Sequence, residues 1–340
     1  MKKIYLLLCL ATFLFISSCK KDTGLEMVSP TVPVTPYIPD NSFKIVSYFP
    51  SYRDPEGVNI SKYKMLTHLF YAFLNPNSDG SLATLEQPAR FNLVMQRARA
   101  NGVKTGISVS GAKSIFVTMA SSATARNLFV KNVLNFTKTN NLDGVDMDWE
   151  YPSTTDGSAD NYVLLMKELS DSLHKYHKFL SAAITPGVYA GSIRDGLKTE
   201  VFPVVDFFNI MVYDGIGWDK NDPVQHASYD MAVFSLNYWL NTRGMPKKKA
   251  VLGIPAYGKN AANTSKAYRD LVAANANTAL DSASVAGVRY YYNGTTTTKK
   301  KAILAKNSGN GIMFWEFYHD DNGSKSIIKA ANDTLSRTYN

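Results

Sequence analysis

The chain has 340 residues, 45% of them hydrophobic and 12% aromatic, with 37 Lys and Arg against 28 Asp and Glu. That apolar content is too high for a disordered polymer, and two cysteines are too few for a disulfide-stapled scaffold. The net charge of +9 could serve nucleic acid, but Lys2, Lys3, Lys20 and Lys21 crowd the N-terminus, and the triplets at 247–249 and 299–301 read as solvated faces of helices and turns, so no nucleic-acid partner is expected.

Residues 1–18 read as an export signal: Lys2 and Lys3 precede an apolar stretch over 4–16 that is too short to span a bilayer. The run Ile16-Ser17-Ser18-Cys19 is similar to a bacterial lipobox, which makes Cys19 the expected lipidation site. A lipid anchor at Cys19 would hold the protein to a membrane of the bacterial cell envelope. Cys9 falls inside the signal, so no internal disulfide is expected. Residues 19–42 carry Pro30, Pro33, Pro36 and Pro39 without a helical period and read as a Pro/Thr-rich tether.

The folded domain is expected over 43–340. Short apolar runs at 44–49, 66–73, 104–110, 144–150, 179–185, 205–212, 250–256 and 311–315 alternate with longer segments of helix-like spacing, such as 162–173 and 231–240. Eight strands alternating with helices predict an α/β fold, a (β/α)8 TIM barrel in a single domain. Active-site groups of such barrels gather at the C-terminal ends of the strands. Tyr48, Ser108, Ser110, Glu150, Tyr213, Asp214 and Trp315 all fall there.

The fourth strand holds the most telling pattern, Asp146, Asp148 and Glu150 at alternate positions. Alternate residues of a strand share one face, so three carboxylates would stack while Val145, Met147 and Trp149 face an apolar layer. Like charges held together in low dielectric shift each other's pKa values, which is what acid–base chemistry requires. Trp239 fits an amphipathic helix and reads as core; Trp218 is a weaker site candidate; the five histidines are scattered and outline no metal site. His319-Asp320-Asp321 reads as a solvated loop.

Here the chain resembles the family 18 glycoside hydrolases, the chitinases and their relatives. Asp143, Asp146, Asp148 and Glu150 meet the family pattern D-x-x-D-x-D-x-E, and Trp149, Tyr151 and Pro152 around Glu150 lean toward the chitinase branch. Tyr48-Phe49-Pro50, Met211-Val212-Tyr213-Asp214, Gly253-Ile254-Pro255-Ala256-Tyr257-Gly258 and Gly311-Ile312-Met313-Phe314-Trp315-Glu316 are similar to the family's other landmarks. The resemblance departs at Ser110, where glycine is usual, and at Ala112, where many relatives have tryptophan. The segment 259–289 is too short for the full α+β insertion of many chitinases, so a shallower, endo-cutting cleft is expected.

The resemblance implies retaining, substrate-assisted hydrolysis of β-1,4-linked N-acetylglucosamine, without cofactor or metal. It implies Glu150 as acid/base, Asp148 as acceptor of the acetamide N–H, Tyr213 as donor to the acetamide oxygen, and Asp146 as a deeper carboxyl sharing a proton with Asp148. Tyr48 and Ser108 would bond that carboxylate pair; with Trp315, Met211, Asp214 and Tyr151 they complete the expected substrate-binding set. The expected partner is chitin, a chitooligosaccharide or another GlcNAc-containing glycan. An endo-β-N-acetylglucosaminidase of N-glycan cores is the alternative, and a lectin-like surface protein is disfavoured by Glu150 itself.

Overall fold

A computed structural model describes residues 35–339. The expected signal at 1–18, Cys19 and the tether up to residue 34 lie outside the described residues.

Eight parallel strands close a barrel: β1 (Lys44–Pro50), β2 (His68–Leu74), β3 (Lys104–Ser110), β4 (Gly144–Asp148), β5 (Phe179–Ile184), β6 (Phe207–Ile210), β7 (Ala250–Pro255) and, last in the ring, β12 (Gly311–Trp315), which pairs back onto β1. These are the eight predicted strands, trimmed by a few residues at some ends. Helices α1 (Pro88–Ala100), α2 (Lys113–Ser121), α3 (Ala123–Thr139), α4 (Ser158–His174), α5 (Ser192–Gly196), α6 (Tyr229–Asn237), α8 (Thr295–Ser308) and α9 (Ile327–Thr334) join them.

Strand alternation divides the core in two. Outward residues such as Val145, Met147 and Trp149 pack under the helices, with Trp149 stacked on Phe116 at 5.1 Å. Inward residues, among them Val46, Phe70, Phe179, Phe207 and Met313, fill the barrel itself. Two glycines make that filling possible. A Cβ on Gly106 would come within 2.6 Å of the Phe70 ring, and one on Gly144 within 2.3 Å of Phe179. The aromatic plug at the floor therefore needs glycine on the neighbouring strands.

Between β7 and β12 lies a small α+β unit: α7 (Tyr268–Ala273) with an antiparallel sheet of β8 (Tyr257–Asn260), β9 (Ser265–Ala267), β10 (Ser282–Val285) and β11 (Val288–Tyr291) in the order β10-β11-β8-β9. It is a reduced insertion, and it begins at Tyr257, so the segment judged short still contributes to the barrel mouth.

Other expectations are corrected by packing. The stretch 37–42, assigned to the tether, lies against the barrel floor: Tyr37 stacks on His174 at 4.0 Å and its hydroxyl donates to Asp206 at 3.0 Å. Two lysines of the supposed solvated triplets are buried. Lys249 donates to the carbonyls of Phe202, Pro203 and Val205, and Lys301 to Ala227 O and Asn293 Oδ1. Lys249 thereby satisfies three backbone carbonyls in the connection leading into β6, and Lys301 shares Ala227 O with Asn293 Nδ2. Asp320 is likewise buried, paired with Lys62 at 3.3 Å, so 319–321 is no solvated loop.

Candidate active site

The inward-facing Asp146 on β4 is fully buried at mid-barrel, and its two oxygens accept four hydrogen bonds. Tyr48 hydroxyl (3.0 Å) and Ser108 Oγ (2.9 Å) donate to Oδ2; Ser181 Oγ (2.7 Å) and Asn209 Nδ2 (3.1 Å) donate to Oδ1. Burial raises its pKa, and the four donors oppose that rise. Tyr48 and Ser108 thus sit beneath the site as supports of this carboxyl, each 1% or less exposed. They do not line the pocket, which corrects their placement among substrate-binding residues.

One pleat higher, Asp148 is buried and its Oδ1 has no hydrogen-bond partner. Burial pushes its pKa well up, the charges of Glu150 and Asp146 push it further, and its hydrogen bond with Glu150 adds to the rise. Glu150 opens onto the cleft. Its pKa is raised by burial of its carboxyl and by the charge of Asp214, against hydrogen bonds from Tyr151 and Asp148. Asp148 is thus pushed up by carboxyls on both sides, Glu150 above and Asp146 below, while Asp146 itself accepts from four protein donors.

Above them lies a pocket of about 270 Å³ at the C-terminal mouth of the barrel, lined by Asp148, Glu150, Tyr151, Met211, Tyr213, Asp214 and Trp315, the remaining expected residues. Trp315 is half-exposed at the end of β12, its ring parallel to Phe73 at 5.7 Å. Burial and the charges of Asp148 and Glu150 keep the Tyr213 phenol protonated, a hydrogen-bond donor in the pocket wall. Asp214 has its carboxylate held by Tyr257 hydroxyl at 2.7 Å and Lys259 Nζ at 2.8 Å. Although burial raises its pKa, hydrogen bonds from His226, Lys259 and Tyr257 outweigh it and bring it down to about 2.

Ser110, expected at the barrel mouth from its strand end, also lines the pocket, as do Phe73, Pro186 and Tyr257, and Ser181 and Asn209 support Asp146; the last five were not among the expected site residues. For Ser181 and Asn209 a signal existed: each is a polar residue at an inward position of an otherwise apolar strand. Trp239 is core, as expected, with its Nε1 on Thr185 O at 3.2 Å. Trp218 turns away from the pocket, its Nε1 donating to Val188 O at 3.3 Å and its ring edge-on to Phe234.

A closed parallel barrel with two carboxyls of raised pKa at the end of its fourth strand and aromatic walls fits the glycoside-hydrolase class. The chain belongs to glycosyl hydrolases family 18, whose family model matches residues 44–320. It is 29% identical over 276 residues to probable chitinase 10 of Drosophila melanogaster, a match covering 70% of this chain and 12% of that protein. The chain spans 12%, 36% and 28% of the lengths of the first curated relatives it matches. Among solved structures it resembles a GH18 chitinase from the chitin utilization locus of Flavobacterium johnsoniae, with TM-score 0.72 and 28% identity over 86% of this chain and 94% of that one. A chitinase from Bacteroides thetaiotaomicron gives TM-score 0.74 and 26% identity over 86% and 96%.

Proposed function

We propose that the chain is an endo-acting chitinase that hydrolyses β-1,4-linked N-acetylglucosamine chains with retention and with assistance from the substrate. The observation that carries this reading is the Asp148–Glu150 pair: two carboxyls with raised proton affinity, one opening on the cleft and the other buried below it with an unpartnered oxygen. Membership of the family supports it.

With a sugar over Trp315, Glu150 donates its proton to the glycosidic oxygen as that bond breaks. The acetamide oxygen, oriented by Tyr213, attacks the anomeric carbon and forms an oxazolinium ion. The acetamide N–H becomes strongly acidic, and the free Oδ1 of Asp148 accepts its hydrogen bond. Glu150, now a carboxylate, removes a proton from water, which attacks the same carbon from the face the leaving group vacated. Configuration is therefore retained, and both carboxyls return to their starting state.

Glu150→Gln should leave the thermal unfolding profile intact and lower kcat on chitohexaose by at least about 100-fold, the scale of a lost general acid. Near wild-type turnover would overturn the reading. Mass spectrometry of products from chitin oligomers and from a high-mannose glycoprotein tests the substrate: release of the N-glycan with inert chitin oligomers would replace chitinase by endo-β-N-acetylglucosaminidase.

We further propose that Cys19 is lipidated and holds the enzyme at the cell envelope.

A further inference from the structure

Ser110 on β3 and Asp148 on β4 stand side by side on neighbouring parallel strands. The register sets Gly106 beside Gly144, Ser108 beside Asp146 and Ser110 beside Asp148. All six positions point into the barrel, so serine meets aspartate on two successive pleats. The lower rung is closed, with Ser108 Oγ donating to Asp146 Oδ2 at 2.9 Å. The upper rung is open. Asp148 is buried, and its Oδ1 has no partner. Ser110 lines the pocket next to it, with its carbonyl tied to the neighbouring loop by Asn75 Nδ2 at 2.7 Å.

The open rung matters because Asp148 works as an anion. It must be ionised to accept the acetamide N–H, in surroundings that oppose the charge. Burial raises its pKa, and Glu150 above and Asp146 below raise it further. The phenols that face it are engaged elsewhere. Tyr48 of β1 donates to Asp146, and Tyr151 bonds Glu150. Tyr162 of α4 lies in the outer layer, edge-on to Trp149 at 5.6 Å. Tyr213, after β6, is the donor assigned to the acetamide oxygen. Among the described residues no lysine or arginine lines the pocket. What remains is the Ser110 hydroxyl, and the rung below shows that this register brings serine and aspartate within hydrogen-bond distance.

We propose that Ser110 is a positioning residue of the reaction, whose hydroxyl closes the upper rung by donating to ionised Asp148 while that carboxylate accepts the acetamide N–H. A carboxylate has lone pairs enough for both bonds. A hydrogen bond to a charged oxygen is stronger than one to a neutral carboxyl, so the hydroxyl contributes most when Asp148 acts. The inference rests on the substrate-assisted reading and deepens it. Glycine, the residue that the resemblance leads one to expect at 110, would leave Asp148 without this donor.

Ser110→Ala removes the hydroxyl and keeps the strand. On chitohexaose it should lower kcat by about 5- to 10-fold with KM within about twofold, the size of one lost hydrogen bond to a charged group. Without the donor Asp148 binds its proton more tightly, so the acidic limb of kcat/KM should move to higher pH by about one unit. Ser110→Thr restores a hydroxyl and should bring the limb back. A rise in KM with an unmoved limb would make Ser110 a sugar contact and overturn the proposal. So would an alanine variant indistinguishable from wild type, or a limb displaced equally in both variants. Infrared titration of the ligand-free protein gives a second reading that needs no turnover. The carboxyl band lost in Asp148→Asn marks Asp148, and in Ser110→Ala its ionisation should move to higher pH; a band that titrates as in wild type overturns the proposal. Wild-type protein inert on chitohexaose would instead overturn the glycosidase reading, and the infrared titration would still decide the Ser110–Asp148 bond.

Discussion

Glu150 does not hold its proton alone. Burial, and then the negative charge of Asp214, raise its pKa, while Tyr151 and Asp148 pull it back through hydrogen bonds. A general acid must be protonated to act, so activity should fall as pH rises past this raised value, giving a basic limb above the ordinary carboxylate range. Asp214, with its pKa down at about 2, stays charged through the whole range. Asp214→Asn removes a charge that favours the protonated form of Glu150, so the basic limb of kcat/KM should move to lower pH, whatever happens to the absolute rate. A limb that stays in place or moves upward would show that Asp214 does not set the acid's proton affinity.

At the scale of elements, polar groups hidden inside apolar patterns do the joining. Lys301 on α8 is buried and reaches Ala227 O at 2.8 Å and Asn293 Oδ1 at 2.7 Å, tying its helix to the connection before α6. Burial lowers its pKa from 10.5 to about 7. The unfolded chain therefore binds the proton more tightly than the folded one, and between pH 7 and about 10 unfolding takes up protons. Stability from this residue accordingly rises with pH through that window. The Tm of wild type minus that of Lys301→Met should grow more positive from pH 7 to pH 10; a difference flat in pH would mean that the amine remains charged when folded. Such joints explain what the amino-acid pattern shows and what it hides. Barrel strands and the alternation at 146, 148 and 150 are legible because period-two patterning records which face is buried. Lys249, Lys301 and Asp320 are not, since a charged side chain looks solvated until its partners, far away in sequence, are known.

For the molecule as a whole, the barrel separates durability from chemistry. The mouth collects like charges and an unpartnered buried oxygen, features that cost stability. The floor is closed by Phe179 and Phe207 packed around His68, and by the strap at 37–42. Asp206 organises that end: one oxygen accepts from Tyr37, from Leu180 N at 2.8 Å and from His174 Nε2 at 3.0 Å. Conservative surgery at the two ends should therefore have separable effects. Tyr37→Ala removes a ring stacked on His174 and a hydroxyl donor to a buried carboxylate, and urea unfolding should show a loss of about 1–2 kcal/mol. Its kcat/KM on chitohexaose should stay within about twofold of wild type, because no side chain of the strap reaches Asp146 or the groups above it. A variant with wild-type stability and impaired turnover would reverse that order and make the strap part of the catalytic machinery.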